Sequence, residues 1–365
     1  MKFSFSSEQD EFRSNLRRFL ADRAPIKETR RLMELDAGWE REGWKALNAE
    51  LGLTAVRIPE EYGGHGFGFG EHCIVLEEMG RALVCAPYFA TTVLAAGAIL
   101  HAGSAERKAA LLPGIAAGQT IATLASAEDS GSWDAEACTL TASATGHLNG
   151  HKSFVLDGHT ADLIVVLARG PSGLAFYTVD GSAAGLTRTL LKTMDPTRKL
   201  ARLEFSDVEA TLLGSAAGTY ERVMIEAAVC LSNEMVGGAE RLREDALAYS
   251  MMRMQFGKAI ASFQSMKHKA ADMLLDVELA KSAAYYAAAA LDEGDGDIAM
   301  TASLAKACAS DTYSQTATHA IQIHGGIGFT WDNDTHLWYK RAKSSDVLFG
   351  DAFHHREQMM KNWAA

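Results

Sequence analysis

Gln322-Ile-His-Gly-Gly-Ile-Gly-Phe329 and Tyr339-Lys-Arg-Ala-Lys-Ser-Ser-Asp-Val-Leu-Phe-Gly-Asp351 are the two stretches that decide the fold of this chain. The first stretch closes a segment, residues 299–322, whose composition of good helix formers predicts a helix. The glycines that follow carry no Cβ, so the backbone N–H groups of this loop can come close to a bound molecule. The chain contains no proline after Pro196, which favours long helices around both stretches.

The composition is that of a globular protein. The chain has 365 residues, of which 48% are hydrophobic and 22% charged, and it is long enough for two or three domains. Its net charge of −11 argues against a general binder of nucleic acid or of anionic membranes. No apolar run is long enough to span a bilayer.

The N-terminal residues and the cysteines predict a cytoplasmic protein without a metal site. Residues 1–10 lack the apolar core of a signal peptide. The odd number and scattered spacing of the cysteines predict free thiols in a reducing compartment. They are Cys73, Cys85, Cys138, Cys230 and Cys308. His324 and the pair His354-His355 also lack the spacing of metal ligands, so we expect them to pack against helices or face solvent.

Helical patterns open and close the chain, and β-type runs lie between them. Ser6-Ser7-Glu8-Gln9 predicts the start of a first helix. From about 118 to 212 come short apolar runs such as Leu163-Ile-Val-Val-Leu167, separated by Gly, Asp and Ser. We therefore predict a helical domain over 1–115, a β domain over 116–215 and a helical domain over 216–365. Composition alone gives only a mixed α and β class.

Further sequence motifs lie between the N-terminus and the two C-terminal stretches quoted above. Pro59-Glu-Glu-Tyr-Gly-Gly64 is followed by Glu77-Glu-Met-Gly-Arg81, and Arg253-Met-Gln-Phe-Gly257 is followed by Phe263-Gln264. In this order, and together with the glycine loop at 325–328, they make the chain resemble the flavin-dependent acyl-CoA dehydrogenases. The resemblance implies an α+β multidomain fold with an N-terminal helical domain, a middle β-barrel domain and a C-terminal four-helix bundle.

The resemblance implies FAD as the cofactor, bound across a subunit interface. No Gly-x-Gly-x-x-Gly motif follows a strand and opens a helix, so a Rossmann dinucleotide site is not expected. In the family, one subunit holds the flavin ring and its neighbour holds the diphosphate and adenine. The positions that match the neighbour's contacts keep suitable residues. They are Arg253, Gln255, Phe256, Gln322, Gly325 and Gly326.

The positions that match the ring-side contacts are changed. Ala127 stands where the family has a threonine that donates to the flavin, Phe154 replaces a tryptophan, and Leu156 replaces a hydroxyl directed at flavin N5. Asp351 and Phe353 replace a threonine and a glutamine. Because leucine and alanine side chains donate no hydrogen bond, this set predicts weak contact with a flavin ring.

Both positions at which the family carries its catalytic glutamate hold apolar residues. Phe349 matches the position after the glycine loop, and Ala227 matches the alternative position on an earlier helix. Three nearby carboxylates are weak candidates for a general base, and we expect each to be a surface or ion-pair residue. They are Glu226, Glu234 and Asp346.

This pattern resembles the non-catalytic subunit of the heteromeric acyl-CoA dehydrogenases of bacterial steroid side-chain breakdown. It implies a heterotetramer with a homologous subunit, a bulky acyl-CoA substrate and an electron-transfer flavoprotein as acceptor. Two alternatives stay open. One is a homotetrameric relative with different chemistry, such as a desulfinase, or with a base elsewhere. The other is a flavin-free scaffold that binds acyl-CoA or a partner.

Overall fold

A computed structural model describes residues 5–294 and 297–363. These residues form two compact units, which we describe separately. The helical unit comprises the described parts of Met1–Arg30, Phe69–Val84 and Ala228–Ala365. The sheet unit comprises Arg31–Gly68 and Cys85–Ala227. The bounds of the three domains predicted from the sequence stay a prediction.

Long helices build the helical unit. They are α1 (Ser7–Arg23), α4 (Phe69–Ala82), the part of α7 (Thr219–Met252) from Ala228 onward, α8 (Gln264–Glu293), α9 (Ile298–His324), α10 (Thr335–Val347) and α11 (Ala352–Trp363). Helix α9 packs against α8, α10 and α11. The buried face of α8 is rich in alanine and that of α9 in alanine, serine and threonine, and these small side chains let the two helices approach closely. The predicted first helix is confirmed, because Ser6 and Gln9 form a capping box at the start of α1.

Glutamates and glycines fix the crossing of helix α4 with its neighbours. The carboxylates of Glu77 and Glu78 are buried and pair with Arg13 and Arg17 on α1. A Cβ on Gly80 would lie 2.0 Å from the carbonyl oxygen of Glu234 on α7, closer than any real side-chain contact. The motif Glu77-Glu-Met-Gly-Arg81 therefore serves helix packing, with charge on one face and a close backbone approach on the other.

The sheet unit contains shorter helices and eight of the ten strands found in the described residues. Its helices are α3 (Arg41–Leu51), a π-helical segment (Phe89–Ala95) that continues into α5 (Ala96–Ala102), and α6 (Ala105–Ala116), while α2 (Ile26–Met33) straddles the division between the units. Its strands are β1 (Ala122–Ala125), β2 (Thr141–Ala142), β3 (His147–Leu156), β4 (Leu163–Gly170), β5 (Gly173–Asp180), β6 (Leu186–Leu190), β7 (Leu200–Glu209) and β8 (Thr211–Ser215). The strands form one sheet in the order β6-β7-β3-β2-β4-β5-β8, and β1 pairs with β4 in parallel.

The fold is thus an N-terminal helical region, a middle sheet domain and a C-terminal helical bundle, as the sequence predicts. Strand β4 carries a continuous buried run, Ile164–Ala168, which explains why its apolar pattern was clear in the sequence.

Among the described residues, no helix is long and apolar enough to cross a membrane. The described residues also contain no cluster of side chains suited to a metal ion.

Candidate functional site

The turn between α7 and α8 presents three of the expected cofactor residues to solvent. Arg253 directly follows the last residue of α7, and Gln255 belongs to a two-strand turn formed by β9 (Met254–Gln255) and β10 (Lys258–Ala259). Phe256 lies at its tip with a φ of +51° and is 91% exposed. Within the described part of the chain, the guanidinium of Arg253 has no ion-pair partner. The side chains of this turn are therefore available to a ligand.

The glycine loop at the end of α9 exposes its backbone. Gly325 ends the helix with a φ of +67°, a conformation that favours glycine, and starts a 3₁₀ turn, Gly325–Phe329. A Cβ added at Gly325 or Gly326 would meet no described atom within 4 Å. Gln322 is exposed and lies two residues before His324, the last residue of α9. The backbone amides of this loop are accordingly accessible from outside.

Tyr249 and His324 hold the two segments at the same end of the bundle. Their rings stack with centroids 4.3 Å apart, and the backbone N–H of Arg253 donates to the carbonyl of Tyr249. The Nδ1 atom of His324 lies 2.8 Å from the carbonyl oxygen of Ala320, so this histidine packs in the helix as expected. Sequence reasoning missed Tyr249, since a tyrosine one turn before Arg253 carries no motif of its own.

These residues suit the diphosphate of FAD. An exposed arginine offers a planar fork of donors to phosphate oxygens, and exposed glycine N–H groups add donors without steric obstruction. None of the six residues is acidic, so nothing in this set repels an anion. The residues present therefore fit the diphosphate side of the cofactor.

The positions expected to touch the flavin ring do not fit that role. Ala127 and Leu156 are buried in the sheet unit, and neither side chain can donate a hydrogen bond. Their backbones are already engaged: the carbonyl of Leu156 accepts from Thr123 Oγ1 at 2.6 Å, and that of Ala127 accepts from Ser153 N at 2.9 Å. Phe154 has a φ of +58° and is partly exposed.

The glutamate beside Ala127 has a structural role. The carboxylate of Glu128 accepts from the buried ammonium of Lys152 at 2.8 Å and from the backbone N–H groups of Thr139 and Leu140. Burial raises the pKa of Glu128, but the hydrogen bond from Lys152 and those from Thr139 and Leu140 outweigh it and lower the pKa to about 2. This charge pair stabilises the fold of the sheet unit.

The sulfur of Cys138 lies 3.2 Å from Lys152 Nζ, and all five cysteines are free thiols.

Phe349 is buried, 5% exposed, in a tightly held connection between α10 and α11. Its φ of +60° places a bulky residue in the left-handed region, and Gly350 follows with a φ of +101°. The Nε2 atom of His355 lies 3.1 Å from the carbonyl oxygen of Phe349. Burial lowers the pKa of His355 to about 3, so the ring is neutral and donates to this carbonyl.

Lys306 on α9 holds the same connection and was missed by sequence reasoning. Its side chain is fully buried, and Nζ donates to the carbonyls of Asp346 and Gly350 at 3.0 and 2.9 Å and to Ser310 Oγ at 3.0 Å. Burial lowers the pKa of Lys306 to about 8. A lone lysine within the alanine-rich run Ser303-Leu-Ala-Lys-Ala307 was the available signal.

The three weak candidates for a base differ in their surroundings. Glu226 is 1% exposed, and its carboxylate lies 2.8 Å from nitrogen atoms of Arg57, His101 and Arg222. Burial raises the pKa of Glu226, but the hydrogen bond of His101 and the charge of Arg57 lower it to about 2.

Glu234 is buried and pairs with Arg341 at 2.8 Å, and Asp346 is half-buried. Ala227 is fully buried in the core of the sheet unit. Two of the three carboxylates are thus ion-pair residues, in line with the sequence-based expectation.

Two family models match the chain. Residues 6–119 match the acyl-CoA dehydrogenase N-terminal domain, and residues 219–363 match the acyl-CoA dehydrogenase C-terminal domain. A relative from Mycobacterium tuberculosis, acyl-CoA dehydrogenase IpdE2, is 33% identical over 343 residues, which cover 93% of this chain and 92% of the relative.

Solved structures with the same fold include heteromeric ones. A subunit of the Tcur3481-Tcur3483 steroid ACAD superposes with a TM-score of 0.89 at 28% identity, covering 98% of both chains. A chain of the ChsE4-ChsE5 complex from Mycobacterium tuberculosis reaches 0.92 at 25% identity, covering 100% of this chain and 99% of that one. Butyryl-CoA dehydrogenase from Megasphaera elsdenii reaches 0.91 at 25% identity and covers both chains fully. The chain belongs to the acyl-CoA dehydrogenase family, whose cofactor is FAD.

Proposed function

We propose that this chain is one subunit of a heteromeric, FAD-dependent acyl-CoA dehydrogenase and that it supplies the diphosphate and adenine side of the cofactor site. One observation carries the proposal: the residues suited to the diphosphate are exposed and unobstructed, while the ring-side positions Ala127 and Leu156 are apolar and buried. The homologous partner subunit supplies the flavin-ring contacts and the general base, and the two subunits form a heterotetramer.

The roles of this chain follow from its donors. Arg253 binds the pyrophosphate through its planar fork, and the N–H groups of Gly325 and Gly326 donate to the nucleotide. Gln255 and Gln322 offer amide groups beside them, and Phe256 offers an exposed aromatic face. FAD, when bound, accepts the β-hydride of the acyl-CoA. These residues position the cofactor and do not themselves take part in proton transfer.

The base is proposed to come from the partner because neither family position of the base holds a carboxylate in this chain. Desaturation needs a carboxylate that can reach the α-carbon of the thioester and accept its proton. Phe349 and Ala227 occupy the two family positions of the base, and neither side chain can accept a proton. Glu226 and Glu234 are committed to buried ion pairs with arginines.

The substrate is proposed to be a bulky acyl-CoA, such as a steroid side-chain acyl-CoA, which would become its trans-2-enoyl-CoA. The similarity to the steroid ACAD supports this class. An electron-transfer flavoprotein is the proposed acceptor of the electrons. Both assignments rest on the family and not on a contact within this chain.

The test compares the chain alone with the chain co-expressed with a homologue that carries glutamate at the position of Phe349. Native mass spectrometry and flavin absorbance should show little or no FAD on the chain alone and one FAD per heterodimer in the complex. A homomer of this chain with one tight, redox-active FAD per subunit would support the homotetrameric alternative instead. Absence of flavin from both preparations would support a flavin-free scaffold.

A further inference from the structure

A cavity of about 800 Å³ opens within the helical unit, and none of the residues expected to contact FAD is among its described lining residues. Its walls come from the start of α1, the start of α4, one residue of α7 and the end of α8. All of these segments belong to the same compact unit.

The innermost polar group of the cavity is an acceptor without a donor. Asn233 on α7 is 0% exposed and lines the cavity. Its Nδ2 atom donates to the carbonyls of Val229 and Ala284, at 2.9 and 3.3 Å, and carbonyls can only accept. The orientation of the amide is therefore fixed, and Oδ1 is left without a donor among the described residues. A buried acceptor of this kind favours a ligand that brings a hydroxyl or an ammonium group.

Aromatic side chains form part of the cavity wall and are held in place. Phe5 and Tyr285 meet edge to face with centroids 4.8 Å apart, and the guanidinium of Arg13 lies 4.5 Å from the Phe5 centroid. Tyr285 also donates through its hydroxyl to Glu77 at 2.8 Å. Because Ala288 and Ala289, on the same helix as Tyr285, add only small side chains to the wall, the space suits a rigid, ring-containing body.

The charged groups around the cavity are acidic. Asp292 and Glu293 line it, and no lysine or arginine is among its described lining residues. The carboxylate of Asp292 accepts from the backbone N–H groups of Phe69 and Gly70 at 2.6 and 2.9 Å, which keeps it at the start of α4. An acidic rim repels anions, so the phosphates of coenzyme A disfavour acyl-CoA as the occupant.

We infer that this cavity is a second binding site, for a mainly apolar, ring-containing molecule that is neutral or cationic and donates one hydrogen bond to Oδ1 of Asn233. Such a donor comes from an alcohol or from an amine. The inference does not depend on the proposed function, because it uses neither FAD nor the partner subunit.

The test measures the binding of four naphthalene probes to the protein as purified. Calorimetry or ligand-detected NMR gives the affinity of each probe. 2-Naphthol and 2-naphthylmethylammonium should bind, whereas 2-methoxynaphthalene, which cannot donate, should bind about tenfold more weakly than 2-naphthol. The anion 2-naphthoate should bind more weakly still. A comparison of the first two probes shows whether an alcohol or an amine is preferred.

Two variants locate the site. Ala289→Phe should fill the cavity and lower 2-naphthol affinity at least tenfold, whereas Ala283→Phe, on the same helix but outside the cavity, should leave it unchanged. Asn233→Leu should remove the preference for 2-naphthol over its methyl ether. The inference would be overturned if 2-naphthol and its methyl ether bind equally, if 2-naphthoate binds more tightly than 2-naphthol, or if Ala289→Phe leaves the 2-naphthol affinity unchanged. These outcomes can be read even if Asn233→Leu does not fold.

Discussion

The backbone of Phe349 adopts a left-handed conformation, with a φ of +60°, that bulky residues take only where their surroundings enforce it. Two buried groups enforce it here. His355 donates to the carbonyl of Phe349, and Lys306 donates to the carbonyl of Gly350. The side chain of Phe349 is buried in turn. The connection between α10 and α11 is thus built to hold an apolar ring at position 349.

Phe349→Glu is expected to lower stability without creating dehydrogenase activity. A carboxylate at this buried position would be poorly solvated, which raises its pKa and costs about 2–3 kcal/mol at neutral pH. Because a raised carboxyl pKa disfavours the ionised form, the loss should grow as the pH rises from 4 to 8. Urea unfolding at both pH values measures it, with Phe349→Leu as the apolar control. Substrate-dependent flavin bleaching by the variant subunit would contradict the subunit assignment.

Arg253→Ala is expected to weaken FAD binding by the heteromeric complex tenfold or more. The change removes a charge-assisted, bidentate contact worth about 1.5–3 kcal/mol. Lysine should restore only part of the affinity, since it lacks the planar fork. FAD titration of the apo-complex measures the effect, and Arg18→Ala, at an exposed arginine on α1 of the helical unit, serves as control. Unchanged flavin content at limiting FAD would exclude the proposed role of Arg253.

Residues that belong to motifs were accessible from the sequence, and their long-range partners were not. Arg253 and Gly325 could be singled out because their neighbours in sequence mark them. Glu226 pairs with Arg57 and His101, which lie far from it in the chain, so its burial and low pKa follow only from the fold. The sequence predicted an ion-pair or surface residue, and the ion pair is what the structure contains.

At the scale of elements, the interiors of helices and central strands follow from apolar patterns, whereas edges do not. Strand β6 was not predicted, because its residues Leu186–Leu190 are mostly exposed and it pairs only with β7. Strands β2 and β8 are short and also carry exposed positions. A strand with one partner and little burial shows no continuous apolar run, so its sequence resembles a loop.

Helix α9 is tied to the connection between α10 and α11 by one buried lysine, and this predicts a pH dependence. The pKa of Lys306 falls from 10.5 to about 8 in the folded chain. Between these two pH values the lysine is protonated more often in the unfolded chain than in the folded chain. Its contribution to the free energy of unfolding therefore increases by up to about 3 kcal/mol as the pH rises from 8 to 10.5.

Lys306→Met should remove this increase. It should also lower stability by about 2–4 kcal/mol at pH 7, because the carbonyls of Asp346 and Gly350 lose their donor. Urea unfolding of both proteins at pH 7, 8 and 10 measures the two effects. The exposed Lys267→Met is the matched control and should leave the pH profile as it is. If stability depends on pH in the same way in Lys306→Met and in the natural chain, Lys306 is not the source of the pH dependence.

Across the whole molecule, many of the exposed large apolar side chains belong to the helical unit, and such side chains mark a contact surface where they lie together. Those on either side of Arg253 include Met251, Met252, Met254 and Phe256. Others lie on α8 and α11, namely Leu274, Leu275, Leu279, Phe353, Met360 and Trp363. We propose that the homologous subunit covers these side chains. Because several of them flank Arg253, a partner that buries them also reaches the proposed diphosphate site.

Replacing both Leu275 and Leu279 with lysine is therefore expected to separate the subunits and to release FAD at the same time. Both leucines are well exposed on α8, at 59% and 60%, so lysine there should leave the fold of the chain intact. Burying two ammonium groups in a subunit contact is costly, which should raise the dissociation constant of the complex at least a hundredfold. Native mass spectrometry with flavin absorbance follows both losses, and circular dichroism checks the helix content.

Ala49→Lys adds one lysine at an exposed position on α3, outside this apolar surface, and should leave the complex and its flavin unchanged. An intact complex in the Leu275/Leu279 variant would place the subunit contact elsewhere. If the subunits separate and this chain still holds FAD by itself, one subunit completes the cofactor site. The heteromeric proposal would then be wrong.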